Sequence, residues 1–444
     1  MSMVWFNAHS CQAVFFDEKE TLKMILALCL FAVMYVLLLA LPKYRYITAL
    51  CTAVLFMVLG ILNPANALGA INWNVIMMLA GTMMIVELFI ESGMPARMSE
   101  KLLQIVPNVQ WAVVVLSLFA GIISAFVDNV ATVLMVAPVG LAAARKIGTN
   151  PIPVIISIAV SSNLQGAATL VSDTTSILFG SYANMSFNDF FWFKGRPGIC
   201  WAVELGAILT IPVILWLFRK EKGKVESEVT TVVNDYLPTV LLIGVVALLI
   251  TASQFENKPE LTNGYICMGL GILGTVLEVI KRKNTDVVRD VLKSVDYETL
   301  LLLGGLFMVI EGITEAGVID AIAGVFVKIG GTSKFLMYTM IVFVSVIVSA
   351  FVDNIPYVAT MLPVVTGIAS IMGIEPYLFD FGLLIGATLG GNITPVGASA
   401  NIAGIGILRK EGYEPTTADF LRIGLPFTMT AVLAGYVLIW LIWA

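Results

Sequence analysis

The sequence predicts an all-α polytopic membrane protein, an inverted repeat whose halves each hold five spans and one re-entrant hairpin, with broken transmembrane helices. Three observations predict it. The chain is too apolar for a soluble domain. Its two halves carry the same motifs in the same order. Its basic residues fall where alternating crossings gather them on one side.

Of 444 residues, 59% are hydrophobic and 12% are charged. Soluble domains carry about 25% charged residues, so soluble, fibrous and disordered readings are set aside. The net charge of −5 is small and speaks for no nucleic-acid partner. The lone histidine, His9, precedes the first apolar run, so no embedded site can use histidine. Cys11, Cys29, Cys51, Cys200 and Cys267 form no CxxC and read as small buried hydrophobes. No GxxxxGK[ST] loop is present, which leaves ATP hydrolysis without machinery.

The first span starts near Leu22, after Asp17-Glu18-Lys19-Glu20, and runs to Leu41. Further apolar runs lie at 46–62, 72–92, 199–218, 237–252, 261–280, 298–316 and 423–443. Each is close to the length a bilayer requires. Four less regular stretches, 107–145, 151–180, 335–370 and 378–408, mix Asp, Asn, Pro and Gly into apolar surroundings. If 107–145 and 335–370 each enter and return on one side, eighteen of the 25 basic residues fall on the cytoplasmic side. The organisation that follows is an extramembrane segment 1–21, a first repeat 22–218, a charged cytoplasmic linker 219–236 and a second repeat 237–444. Both termini are then outside, and the place of the protein is the cell membrane.

The repeat is explicit. "WNVIMMLAGTMMIVELFIESG" from Trp73 matches "YETLLLLGGLFMVIEGITEAG" from Tyr297 at an offset of 224. "SAFVDNVATVLMVAPV" from Ser124 matches "SAFVDNIPYVATMLPV" from Ser349 at 225, and "NLQGAATLVSDTTSI" from Asn163 matches "TLGGNITPVGASANI" from Thr388 at the same offset. Opposite orientations of two such halves supply the two packings that alternating access requires.

The chemistry is expected where charge and irregular backbone meet. Asp128-Asn129 and Asp353-Asn354 fall at the hairpin tips, where helix ends leave free amides and carbonyls. They read as caps, as direct ion or proton contacts, or as groups with an indirect role between the two. "SSNLQGAAT" and "TLGGNIT" read as breaks in crossing helices, where glycine permits unusual dihedrals and Pro395 removes a donor. Carbonyls there, with the hydroxyls of Ser162, Thr169 and Thr394, suit a small cation. Amides at a resumed helix suit an anion. Asn163, Asn392, Ser399 and Asn401 complete this candidate binding set. Asp173 aligns with Ala398, so a carboxylate there serves one half only; it is a titrating or cation-contacting candidate, or the N-cap of the segment it precedes. Glu87 and Glu311 lie within apolar spans in both halves, as proton sites or as hydrogen-bond partners of the hairpins. Pro138 and Pro363 are expected to kink or end the returning arms. The run "FNDFFWF" from Phe187 reads as interfacial anchoring, and the methionines from Met77 to Met84 as packing.

At "AFVDNVATVLMVAPV", "NLQGAATLVSD" and "GGNITPVGASANI" the chain resembles the ion transporter superfamily, in its arsenite permease, NhaD-type sodium/proton antiporter and P protein branch. The resemblance covers nearly the whole chain after residue 20. It implies a secondary carrier with two re-entrant hairpins and two broken helices, and a homodimer. The FxDN tips match antiporter and P-protein-like members. "SDTTS" at 172–176 stands where many of those have GDPPN, and only Ser162-Asn163 remains of the Ser-Asn-Thr triplet of carboxylate carriers.

Together these readings predict a non-enzymatic secondary transporter that exchanges sodium for protons by alternating access. The alternatives are a sodium- or proton-coupled di- or tricarboxylate carrier and an arsenite permease. The expected partners are a small inorganic ion or small anion and the bilayer. No cofactor is expected beyond a bound sodium ion. The supply of acidic groups, with Arg97, Arg145, Lys146, Arg409 and Lys410 confined to edges, is what favours exchange.

Overall fold

The computed structural model describes residues 18–225, 229–255, 258–331 and 333–444. His9 and Cys11 lie outside them. The first half runs α1 (Glu18–Ala40), α2 (Arg45–Val58), α3 (Pro64–Ala67), α4 (Trp73–Glu91), α5 (Met94–Gln104), α6 (Val109–Ser124), α7 (Asn129–Ile147), α8 (Pro151–Gln165), α9 (Thr174–Tyr182) and α10 (Ile199–Leu217). The second runs α11 (Leu237–Ala252), α12 (Thr262–Arg282), α13 (Asp286–Ser294), α14 (Tyr297–Glu315), α15 (Val318–Gly330), α16 (Lys334–Ser349), α17 (Asn354–Met372), α18 (Tyr377–Gly390), α19 (Ser399–Lys410) and α20 (Thr417–Trp443). The element order repeats helix for helix. A two-residue hairpin, β1 (Trp192–Phe193) with β2 (Arg196–Pro197), precedes α10.

Among the described residues seven helices are long and apolar enough to cross a membrane: α1, α4, α10, α12, α14, α17 and α20. The ten expected crossings therefore divide. Six are long single helices, α2 and α11 are short, and the runs 151–180 and 378–408 are each two helices around a break. The seventh long helix, α17, is a hairpin arm. α1 begins at Glu18, so 18–21 belong to the helix rather than to a leading segment.

The helices pack as two bundles. α4 lies along α12 and α14 along α2, with α1 and α11 beside them. In the other bundle the hairpins α6–α7 and α16–α17 pack on α8 and α18, and α10 lies along α20. Glycine sets both crossings of the first bundle. A Cβ on Gly81 would lie 2.3 Å from the Cys267 backbone, and one on Gly305 would lie 2.9 Å from that of Ala49. Membrane helices gain contact this way because lipid offers no hydrophobic drive between them.

α5 and α15 run between the bundles, an element pair the hydropathy pattern does not show. Gly93 and Gly317, aligned in the repeat, sit at φ 74° and 72° and redirect the chain from α4 into α5 and from α14 into α15. That left-handed conformation favours glycine.

Several local expectations change. Pro138 and Pro363 lie inside α7 and α17 and end neither arm. Phe187 and Phe190 are buried, and Phe193 packs edge-on against Tyr377 and Phe381 and at a tilt against Trp443. Two residues of the FNDFFWF run are thus core, four are half-buried and Trp192 is exposed. Cys200 and Cys267 are buried as expected, whereas Cys29 and Cys51 are exposed.

Candidate functional site

The two hairpin tips are built alike. Ala125–Val127 and Ala350–Val352 turn the chain, and Asp128 and Asp353 begin the returning helices. One oxygen of Asp128 accepts from Val130 N (2.9 Å) and Ala131 N (3.1 Å), and one of Asp353 accepts from Ile355 N (3.1 Å). Each tip is then tied to a break. Thr169 Oγ1 donates to Ala125 O, and Thr394 Oγ1, 225 residues later, donates to Ala350 O. Ser124 Oγ donates to Asn129 Oδ1 at 2.6 Å, and Ser162 Oγ donates to Ser124 Oγ (3.0 Å) and Asn129 O (3.1 Å). At the second tip Ser349 Oγ donates to Asn354 Oδ1, and Asn354 Nδ2 donates to Thr388 O at 3.5 Å.

Between the breaks lies a buried amide cluster. Asn163 Nδ2 donates to Asn392 Oδ1 at 2.8 Å and to Asn401 Oδ1 at 2.9 Å. Asn392 donates to Val160 O (2.9 Å), and Asn401 donates to Gly391 O (2.9 Å) and Thr394 O (3.0 Å). Gly166 O takes the hydroxyls of Ser172 (2.6 Å) and Ser176 (2.7 Å). The carbonyls of Gly166, Gly391 and Thr394 in the breaks are thus already partnered.

A cavity of about 240 Å³ opens beside this crossing. Its lining includes Glu87, Asp128, Asn129, Asn163, Asp173, Asp296, Asp353, Asn354 and Ser399. It reaches Ile90 and Ser294, toward the end of α4 where Glu91 meets Arg282 at 2.8 Å. No Lys, Arg or His lines it among the described residues. The structure thus gathers Glu87, both tip pairs, Asn163, Asp173 and Ser399. It does not bring Ser162, Thr169, Asn392, Thr394 or Asn401 to the cavity. Those five seat the tips and join the breaks through the hydrogen bonds above.

Glu311 does not line this cavity. The α14 residues in the lining are Thr299 and, just ahead of the helix, Asp296; Glu311 lies twelve residues on, about 18 Å along the axis. Neither Glu87 nor Glu311 hydrogen-bonds a hairpin among the described residues. Asp173 stands at the N-cap position of α9 without capping it; its Oδ2 accepts from Thr175 Oγ1 at 2.7 Å.

Sequence reasoning missed three groups. Asp296 N-caps α14 through Thr299 N (3.0 Å) and lines the cavity. Extending the repeat one residue upstream finds it, since Asn72 caps α4 at the matching position. Arg45 reaches the second tip, its Nη1 2.8 Å from Asp353 Oδ2. Asp380 is buried in α18 with one oxygen unpartnered, and no motif marked it. The lining carboxylates do not converge: among the described residues no three His, Cys, Asp or Glu gather closely enough to hold a metal.

Comparisons with known proteins agree with this architecture. A transporter of Mycobacterium tuberculosis strain CDC 1551 is 30% identical over 434 residues, covering 94% of this chain and 98% of its own. The 46 kDa membrane protein of Mycobacterium leprae is 30% identical with the same coverage. Human P protein is 24% identical over 82% of this chain and 53% of its own length. Among solved structures, the YdaH transporter of Alcanivorax borkumensis superposes with a TM-score of 0.58 at 15% identity, covering 95% of this chain and 97% of its own. MtrF of Neisseria gonorrhoeae gives 0.56 at 14% identity, covering 87% and 83%. These two likenesses speak for the fold. The family model described as citrate transporter matches residues 35–381, and the chain belongs to that family, CitMHS, of multi-pass membrane transporters.

Proposed function

We propose that the protein is a cation-coupled secondary carrier, and that it exchanges sodium for protons at Asp128 and Asp173. The observation that carries this is the cavity wall, where five carboxylates face a space lined by no basic side chain. Asp353 is offset by Arg45, whereas Asp128 and Asp173 have no ion pair among the described residues. Embedded carboxylates without partners mark ion or proton pathways. A carboxylate can take a proton and sodium in turn, because either compensates its charge. The hairpins enter and return from opposite sides in this reading, and the halves 22–218 and 237–444 are the units of the inverted repeat. The cavity then opens to the cytoplasm.

The family match favours a second reading, citrate transport. A free tricarboxylate beside five carboxylates is strongly repelled, so citrate would enter only with cations that neutralise it. Liposomes carrying the protein and a pH-sensitive dye separate the two. Sodium-driven proton flux without citrate supports exchange, and Asp173→Asn is expected to lower it about tenfold or more. No sodium or lithium response, together with saturable citrate uptake that requires a cation, overturns exchange in favour of the second reading.

A further inference from the structure

The two hairpin tips are alike in backbone and capping but not in charge balance. Asp353 accepts from the Ile355 amide at Oδ1 and from Arg45 Nη1 at Oδ2 (2.8 Å), where Ser399 Oγ also donates at 3.4 Å. The two charged side chains are 23% and 11% exposed. Asp128, its counterpart in the first half, has no ion pair among the described residues. Arg45 belongs to the other bundle. It opens α2, which packs on α1 and α14, and its Nε donates to Leu38 O in the last turn of α1 at 3.3 Å. The ion pair therefore joins the bundle of α1, α2 and α14 to the bundle of the hairpins.

Among the described residues the first tip has no such link. The glycine crossings pair Gly305 with Ala49 and Gly81 with Cys267. That alignment sets Arg45 against Asn263, which is neutral. A movement that carried the hairpin bundle toward the other face would bring Asp128 to an amide side chain, not to a guanidinium.

We propose that Arg45 is a positioning residue that occupies Asp353 in place of a cation and holds the hairpin bundle in the cavity-open arrangement. This rests on the cation-carrier reading above. While the pair is closed, Asp128 and Asp173 are the carboxylates at the crossing left without a charged partner among the described residues. Arg45 is tied to the α1–α2 turn and cannot follow the bundle, so the pair must separate before the cavity can close on this side. A contact made in only one of two arrangements biases the population toward it.

The experiment uses the full chain in liposomes, with its cysteines replaced and a reporter at Leu134→Cys. Leu134 lines the cavity and is half exposed. A membrane-impermeant maleimide is applied from the side on which the cavity opens. Arg45→Gln is expected to slow labelling about fivefold or more, Asp353→Asn to slow it equally, and the double variant to add nothing further. Arg45→Lys, which keeps the charge without the planar fork, is expected to lie between parent and Arg45→Gln, and it serves if Arg45→Gln fails to fold. Labelling at the parental rate in both single variants, or in Arg45→Lys alone where Arg45→Gln does not fold, overturns the inference. Multiplying effects in the double variant overturn it as well. Labelling reads the position of the bundles and not the ion carried. Absence of sodium/proton exchange would therefore defeat the proposed exchange and leave this result standing.

Discussion

Glycines at the breaks carry the most local constraint in the candidate site. Gly166 and Gly391 are related by the repeat, and each faces the tip asparagine of its own half. A Cβ on Gly166 would lie 2.7 Å from Asn129 Nδ2, and one on Gly391 would lie 2.8 Å from Gly397 O and 3.0 Å from Asn354 Oδ1. Backbone cannot yield as a side chain can, so Gly391→Ala is expected to be the worse change, by about 1–3 kcal/mol. Gly304 in α14 has nothing within 4 Å of such a Cβ, and Gly304→Ala is expected to be neutral or to gain about 0.5 kcal/mol. Thermal unfolding of detergent-purified variants measures both; equal midpoints for the two alanine variants would refute the steric argument. The sequence showed that glycines cluster at these positions. It did not show which atoms they admit.

At the scale of elements, the linker is the clearest case of a tether built from side chains on α5. Glu100 accepts from the amides of Thr230 and Thr231 (both 2.9 Å) and from their hydroxyls (3.2 and 2.8 Å). Burial pushes its carboxyl up, and the bonds from Thr231 and then Thr230 outweigh that and hold it below the ordinary carboxylate range. A depressed folded value means that the stabilisation is present above the unfolded value and is lost as pH falls through the folded one. Glu100→Gln is therefore expected to lower stability by about 0.5 kcal/mol at neutral pH, after allowance for solvent screening. The gap should close as the solution is made acidic. A gap of constant size across that range, read from unfolding midpoints, would show that the charge of Glu100 is not what holds the linker. The hairpins were legible because FVDN interrupts apolar runs twice. α5 and α15 were not, because they are short and one-sided, and their only signal was the pair of glycines that starts them.

For the whole molecule, the opposite orientation of the halves is a statement about sides. Arg145 pairs with Glu411 at 2.8 Å at one end, and Glu375 with Lys194 at 3.2 Å at the other. Single cysteines at Arg145 and Glu375 are expected to react with an impermeant reagent from opposite faces of the membrane. Reaction from the same face would refute the inverted arrangement. The two-bundle packing gives that arrangement something to move, since each bundle draws helices from both halves and the cavity lies between them.

By itself the sequence determined membrane residence, the repeat, the hairpin tips and the breaks, because each rests on a pattern within about 20 consecutive residues or on a constant offset. It also selected the acidic residues of the cavity wall in Glu87, Asp128, Asp173 and Asp353. Only the tertiary structure decided their contacts. Ser162, Thr169, Asn392, Thr394 and Asn401 hydrogen-bond to backbone and side chains across the breaks, Glu311 stands far from the cavity, and Arg45 crosses 308 residues of chain to meet Asp353. Polar groups in an apolar interior must find partners. Which of them pair with each other, and which are left facing the cavity, depends on distances that no local pattern records.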